Sequence, residues 1–243
     1  MPIILNLETA ITVCSVALSR DGKLLALREV NAGYSHSENI TRFINEVCKE
    51  ANIELKELDA IAVSKGPGSY TGLRIGASTA KGLCYALEKP LIAIDTLQSL
   101  SGCFLGSNVL APGSNVLSPG SSILAPGSLL LPMLDARRME VYCAAYDSDL
   151  KEIFPAKAEI VNENSFSDLL QKHRIVFFGD GAAKCKPLFE NNSNVIFADM
   201  TISATGMILL AEEKFNKKDF EDVSLFEPFY LKEAMVGKVS SGL

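Results

Sequence analysis

The residue types that could do chemistry in this sequence are few: a glycine-rich turn, six cysteines and two histidines. The turn is Ser64-Lys65-Gly66-Pro67-Gly68-Ser69-Tyr70-Thr71-Gly72-Leu73-Arg74-Ile75-Gly76. It follows an apolar run, Leu58 to Val63, and precedes a helical pattern that starts near Leu73, with Thr71 as the expected N-cap. Backbone in such a turn can come close to a phosphate, another helix or a partner protein. A phosphate loop ends in Gly-Lys-Ser/Thr to supply charge and a magnesium ligand. Here Gly72 is followed by Leu73-Arg74, which excludes that reading. Along the helix Gly72, Gly76, Ala80 and Cys84 recur four apart, so one face is small enough for close approach of a second helix. That contact can lie inside the domain or between subunits. The cysteines (Cys14, Cys48, Cys84, Cys103, Cys143, Cys185) are scattered without a Cys-x-x-Cys and fall in apolar patterns, as reduced core thiols do. With only His36 and His173 as imidazoles, a nucleophilic cysteine has little to activate it.

Around these residues the chain reads as an ordinary globular protein. Its hydrophobic fraction of 48% suffices for a buried core, and its formal net charge of −6 opposes a stand-alone nucleic-acid binder, which needs clustered Lys and Arg. No apolar run reaches the ~18 residues of a membrane span and no charged leader precedes one, so the expected location is the cytoplasm, away from membranes.

The positioning elements follow a repeated order. Ile3 to Leu7, Val13 to Ser19 and Leu24 to Val30 read as strands, with a hairpin signal at Asp21-Gly22. Ser35-x-x-Glu38 is a capping box before Ile40, Phe43, Ile44, Val47, Cys48 and Ala51 at helical spacing. The Leu58 to Val63 strand, the helix to Leu87, a strand Leu91 to Ile94 and a short helix capped by Thr96 complete the first set. In the second half Leu129 to Leu134, Val141 to Tyr146, Ala158 to Val161, Ile175 to Phe178 and Val195 to Phe197 read as strands. Phe166 to Gln171 and Ala204 to Phe215 read as helices. Two βββαβαβα units predict an α/β fold of two similar subdomains facing a cleft, residues 1–101 and 132–243. Between them, in 102–131, a seven-residue repeat runs from Gly106 through Gly113, Gly120 and Gly127. Its prolines exclude a coiled coil, and the expectation is a dispensable surface loop over Ser107 to Ser128.

The glycine run 66–76 closely resembles that of the bacterial TsaB (YeaZ) proteins. So do Leu7-Glu8-Thr9-Ala10 with Cys14-Ser15-Val16-Ala17-Leu18, and His36 at the first long helix. Met133-Leu134-Asp135-Ala136-Arg137 with Glu140-Val141-Tyr142, Gly179-Asp180-Gly181 and Glu227-Pro228-Phe229-Tyr230-Leu231 complete the match, which covers nearly the whole chain. The resemblance implies the duplicated actin/Hsp70-like ATPase (ribonuclease H-like) fold. It also implies a subunit of the machinery that places threonylcarbamoyl on adenosine 37 of tRNAs reading ANN codons. Its implied partners are the catalytic paralogue TsaD and, through that pair, the ATPase TsaE, with a homodimer when alone and tRNA touched only indirectly.

Set against that family, the chain keeps an acid at each of the two turns where the fold holds magnesium and phosphate, Glu8 and Asp135, but surrounds them with Thr9-Ala10-Ile11 and Ala136-Arg137-Arg138, without glycine. The paralogue's metal pair needs two histidines one helical turn apart, whereas His36 is followed at that spacing by Ile40. The expectation is therefore a scaffold with no catalytic residue and no metal of its own, ATP and metal belonging to the partner subunits. Glu8, Thr9, Asp135, Gly179 and Gly181 would form a vestigial nucleotide cleft; Glu8 can equally hydrogen-bond turn amides, Gly179-Asp180-Gly181 can be an ordinary turn, and Arg137 and Arg138 can be surface charges. Ile40, Phe43, Ile44, Val47, Gly72, Gly76 and Ala80 would form the partner interface. The competing classes are an ATPase or small-molecule kinase of the same fold and the glycoprotease-like (M22) peptidase label this superfamily has carried. The first is opposed by the corners, the second by the lack of any Ser-His-Asp or two-histidine constellation.

Overall fold

Alternating side chains build two sheets from the two halves of the chain. The computed structural model describes residues 1–31, 36–106, 125 and 127–232; Ser35 of the capping box and most of the repeat lie outside them. The first half contains β1 (Ile3–Glu8), β2 (Val13–Arg20), β3 (Lys23–Asn31), α1 (His36–Ala51), β4 (Ala60–Gly66), α2 (Tyr70–Leu87), β5 (Leu91–Asp95) and α3 (Thr96–Gly106). The second contains β6 (Leu129–Asp135), β7 (Glu140–Tyr146), β8 (Glu152–Ile160), α4 (Ser167–Leu170), β9 (Ile175–Phe178), α5 (Ala182–Phe189) and β10 (Val195–Phe197). A 3-10 turn (Ala204–Met207) and α6 (Ile208–Lys217) close it. The sheets run β3-β2-β1-β4-β5 and β8-β7-β6-β9-β10. In each, the first three strands are antiparallel neighbours and the last two join in parallel, so the duplication read from the sequence is present in the topology.

Each sheet is buried on both faces. From β4, Ile61 and Val63 meet Ile40, Phe43, Ile44 and Val47 of α1 and Ala77 and Ala80 of α2, while Ala60 and Ala62 face the opposite layer. That opposite layer is α6 with its preceding turn, through Met207, Ile208, Leu210 and Ala211. Reciprocally, Leu97, Leu100 and Phe104 of α3 pack on Leu130, Leu134, Val176 and Phe178 of the second sheet. The helices at the end of each half thus cover the other half's sheet. An edge at residue 101 falls inside α3, and residues 204–217, which the sequence groups with 132–243, serve the first sheet.

Two expected caps move. Ser69, not Thr71, caps α2, its Oγ accepting from the Gly72 amide at 3.3 Å. Helix α3 opens at Thr96, but Asp95 Oδ1 accepts from the Leu97 and Gln98 amides at 2.9 and 3.1 Å. The hydroxyl of Thr96 instead accepts from the Gly66 amide at 3.1 Å. The six cysteines are buried free thiols, and no helix among the described residues is long and apolar enough to cross a membrane.

Candidate functional site

The first corner is the turn from β1 to β2, and the chain's own backbone fills it. Glu8 is wholly buried; its Oε1 accepts from the Ala10 amide at 2.7 Å and from Ser64 Oγ at 2.8 Å. Burial pushes this carboxyl up to about 7, against the pull of those hydrogen bonds. Thr9 Oγ1 donates to the Gly72 carbonyl at 2.8 Å, and the Ser69 amide donates to the Ala10 carbonyl at 2.6 Å. Glycine is required along this contact because a Cβ at Gly68 would strike the Ala10 carbonyl, one at Gly72 the Thr9 carbonyl and one at Gly76 the Thr9 hydroxyl. The small stripe of α2 is therefore a contact inside the protomer. It brings a helix onto the corner where a phosphate would need open amides.

The second corner, between β6 and β7, is occupied by a cation. Lys184 Nζ of α5 donates to Asp135 Oδ1 and to the Glu140 carbonyl, each at 2.5 Å. Partial burial alone would raise the Asp135 carboxyl, but the Lys184 ammonium and the Arg137 amide overcome it and hold the group below the ordinary carboxylate range. Asp180 Oδ1 accepts from the Asp135 amide at 2.9 Å, and burial raises the Asp180 carboxyl. Gly181 donates its amide to the Met133 carbonyl at 3.0 Å and packs on Leu134, so this glycine also serves close packing. Arg137 and Arg138 are exposed and both left-handed, at φ 68° and 49°, in the tight turn at the tip.

Between the halves lies a cleft of about 140 Å³, lined by Ile11, Leu100, Leu134, Met200, Asp180 and Asp199 among others. Of the five expected cleft residues, only Gly179 lines it. Its lining holds two carboxylates and no Lys or Arg, a poor match for a polyphosphate. With one acid buried under Thr9–Ala10 and the other paired to Lys184, these corners do not fit a metal–phosphate group. Among the described residues no three His, Cys, Asp or Glu side chains gather as a metal site. His36 is buried at the first turn of α1, where burial lowers its imidazole below the ordinary value.

A larger open groove of about 480 Å³ runs between α1 and α2. It is lined by Ser37, Ile40 and Thr41 from α1 and by Tyr70, Thr71, Arg74, Ile75, Ser78 and Thr79 from α2. The residues expected at the partner interface lie mostly away from this groove. Only Ile40 reaches the groove floor; Phe43, Ile44, Val47 and Ala80 are core, and Gly72 and Gly76 lie against Thr9. An apolar helical stripe faces whatever sheet is nearest, and here that sheet belongs to the same chain.

The family model described as TsaD, tRNA N6-adenosine threonylcarbamoyltransferase, matches residues 30–236. Along its length the chain is 28% identical to the tRNA threonylcarbamoyladenosine biosynthesis protein TsaB of Haemophilus influenzae, covering 98% of this chain and 97% of that protein. It is also 28% identical to the TsaB protein of Escherichia coli, covering 98% of each. The chain belongs to this TsaD-related family, as a TsaB (YeaZ) member. The solved structure of YeaZ from Pseudomonas aeruginosa shares the fold, with a TM-score of 0.71, 20% identity, and coverage of 95% of this chain and 100% of that one. The two-sheet α/β fold is thus the one found in YeaZ.

Within a TsaB-type chain, sequence reasoning missed Lys184, which lies 49 residues from Asp135 on a helix interrupted by Pro187. It also missed the groove-lining Tyr70, Arg74 and Ser78. The signal available was their spacing, one helical turn apart on the polar face of α2.

Proposed function

We propose that this chain takes part in tRNA threonylcarbamoyladenosine biosynthesis as a non-catalytic subunit that docks a TsaD-type paralogue and holds it in an active state. The names of its full-length relatives support the pathway. The observation that carries the non-catalytic role is the filling of both corners by the chain's own groups, α2 on Thr9–Ala10 and Lys184 on Asp135. A fold whose phosphate corners are filled retains rigid helices and a surface, and on that surface lies the open α1–α2 groove of about 480 Å³. ATP, metal and the TsaE ATPase then act on the partner's side of the complex, in the cytoplasm, with tRNA reached through that complex. The same groove is the contact for self-association of the free chain.

The test is calorimetric titration of the purified chain into its TsaD paralogue, beside an ATP-hydrolysis assay of each alone. Ser78→Trp, which fills the groove from an exposed position, is expected to weaken binding by tenfold or more. Wild-type affinity in that variant, or ATP turnover by the isolated chain that vanishes in Glu8→Ala, refutes the reading.

A further inference from the structure

The segment after α6 runs across the first half and is fastened at short intervals. The Glu221 amide donates to the Leu91 carbonyl at 2.9 Å, extending the sheet by one bridge. Phe226 enters the core beneath α2, and the carbonyls of Ser224 and Phe226 accept from Lys81 Nζ at 3.1 and 3.0 Å. The Phe229 amide donates to the Lys65 carbonyl at 2.6 Å. Its own carbonyl sits where a Cβ of Gly66 would be, at a position whose φ of +119° already favours glycine. Lys232 finally pairs with Glu140 of the second half.

These fastenings deliver one side chain to a residue that lines the groove. The Tyr230 ring lies 5.0 Å from that of Tyr70, tilted by 39°. Tyr70 lines the groove at 42% exposure, and the Arg74 guanidinium lies 5.3 Å from its ring centroid while donating to its hydroxyl at 3.0 Å. Among the described residues no carboxylate pairs with Arg74. Tyrosine and arginine are the side chains that dominate interface energetics, and rigid ones lose less freedom on docking. One arginine among serine, threonine and isoleucine suits a single carboxylate on a protein segment; a nucleic-acid backbone needs several cations.

Resting on the docking role proposed above, we infer that Tyr230 is a positioning residue of the partner surface. It packs behind Tyr70 and thereby holds Arg74 over the groove, where Arg74 receives a carboxylate of the TsaD-type partner. Removing Tyr230 frees Tyr70 to swing and unseats the guanidinium, without touching the partner itself.

The test titrates the TsaD paralogue with Tyr230→Ala, Tyr230→Phe, Arg74→Gln and the double variant Y230A/R74Q, at low and high salt, beside Ser78→Trp. Tyr230→Ala and Arg74→Gln are each expected to weaken binding about tenfold, and Tyr230→Phe to bind like the parent. The double variant should bind like Arg74→Gln alone, because the two residues act through one contact. Salt should weaken the parent more than Arg74→Gln. If Ser78→Trp loses binding while Tyr230→Ala keeps it, docking in the groove stands and this inference falls. If both keep it, both fall. Should Tyr230→Ala also lower the melting temperature, the Tyr230→Phe rescue and the double variant decide: additive losses overturn the inference. Loss confined to self-association, or to tRNA affinity with paralogue binding intact, also overturns it.

Discussion

The corners at Glu8 and Asp135 hold equivalent places in the two halves, yet different forces close them. At Glu8 the closure is dry and steric: a wholly buried carboxyl, Gly68 before α2 and Gly72 and Gly76 within it against a backbone turn, and hydrogen bonds between 2.6 and 2.8 Å. At Asp135 it is electrostatic and wet, since the carboxylate side chain is 50% exposed and its partner is a single lysine 20% exposed. Equivalent corners of a duplicated fold can therefore be filled by unrelated routes. The steric route is built into the core, whereas the electrostatic one depends on one side chain.

The largest effect should come from breaking the steric closure. Gly72→Val places a branched side chain on the Thr9 carbonyl and is expected to destabilise the fold by about 3 kcal/mol. Urea denaturation measures this, and a loss below about 1 kcal/mol would mean that the turn yields and the closure is soft. A middle-sized effect of opposite sign should follow Glu8→Gln. The folded carboxyl sits near 7 and its ordinary value is 4.5, so the native state holds the proton more tightly. Its favourable contribution is complete below pH 4.5 and fades as the pH rises through 7. At pH 8 the neutral glutamine should therefore be more stable than the parent by about 2 kcal/mol, or a few degrees in melting temperature. Equal stability at pH 8 would show that Glu8 is solvated. The smallest effect is expected at the second corner, where Lys184→Met should cost less than about 1 kcal/mol because the pair is half exposed and screened. The Asp135 titration, followed by carboxyl NMR, should move up toward its ordinary value in that variant. In the parent, the depressed carboxyl adds stability above the ordinary value and loses it as the pH falls; in Lys184→Met that loss should shrink. An unmoved Asp135 would assign the depression to the Arg137 amide instead.

Short apolar runs bounded by turn residues made the strands legible, and repetition of one element order in both halves made the architecture legible before any coordinates. What period cannot tell is which body a buried stripe faces. Ile40, Phe43, Ile44 and Val47 look alike whether they meet a partner or their own sheet, and they meet their own sheet. Gly72 and Gly76 carried the same ambiguity, settled by Thr9, whose hydroxyl and carbonyl fill the space a Cβ would take. Helix α5 escaped notice because it is only eight residues long and contains Pro187, which reads as a breaker. The strap from Glu221 to Lys232 escaped because its hold depends on single contacts to Leu91, Lys81, Lys65 and Tyr70, none of which leaves a periodic trace.

The reciprocal covering of each sheet by the other half's last helix sets a timetable for synthesis. When β5 leaves the ribosome, Ile4, Ala62 and Ile94 on one face of the first sheet have no cover until α6 follows, after residues 96–207 have been made. At about 5–20 residues per second that interval is on the order of ten seconds. A chain stopped at residue 106 should accordingly bind a hydrophobic dye that the full chain does not, and failure to do so would mean that α3 covers the face in the interim. Shielding of that face during synthesis, and a yield that depends on translation speed through the second half, are the expected consequences.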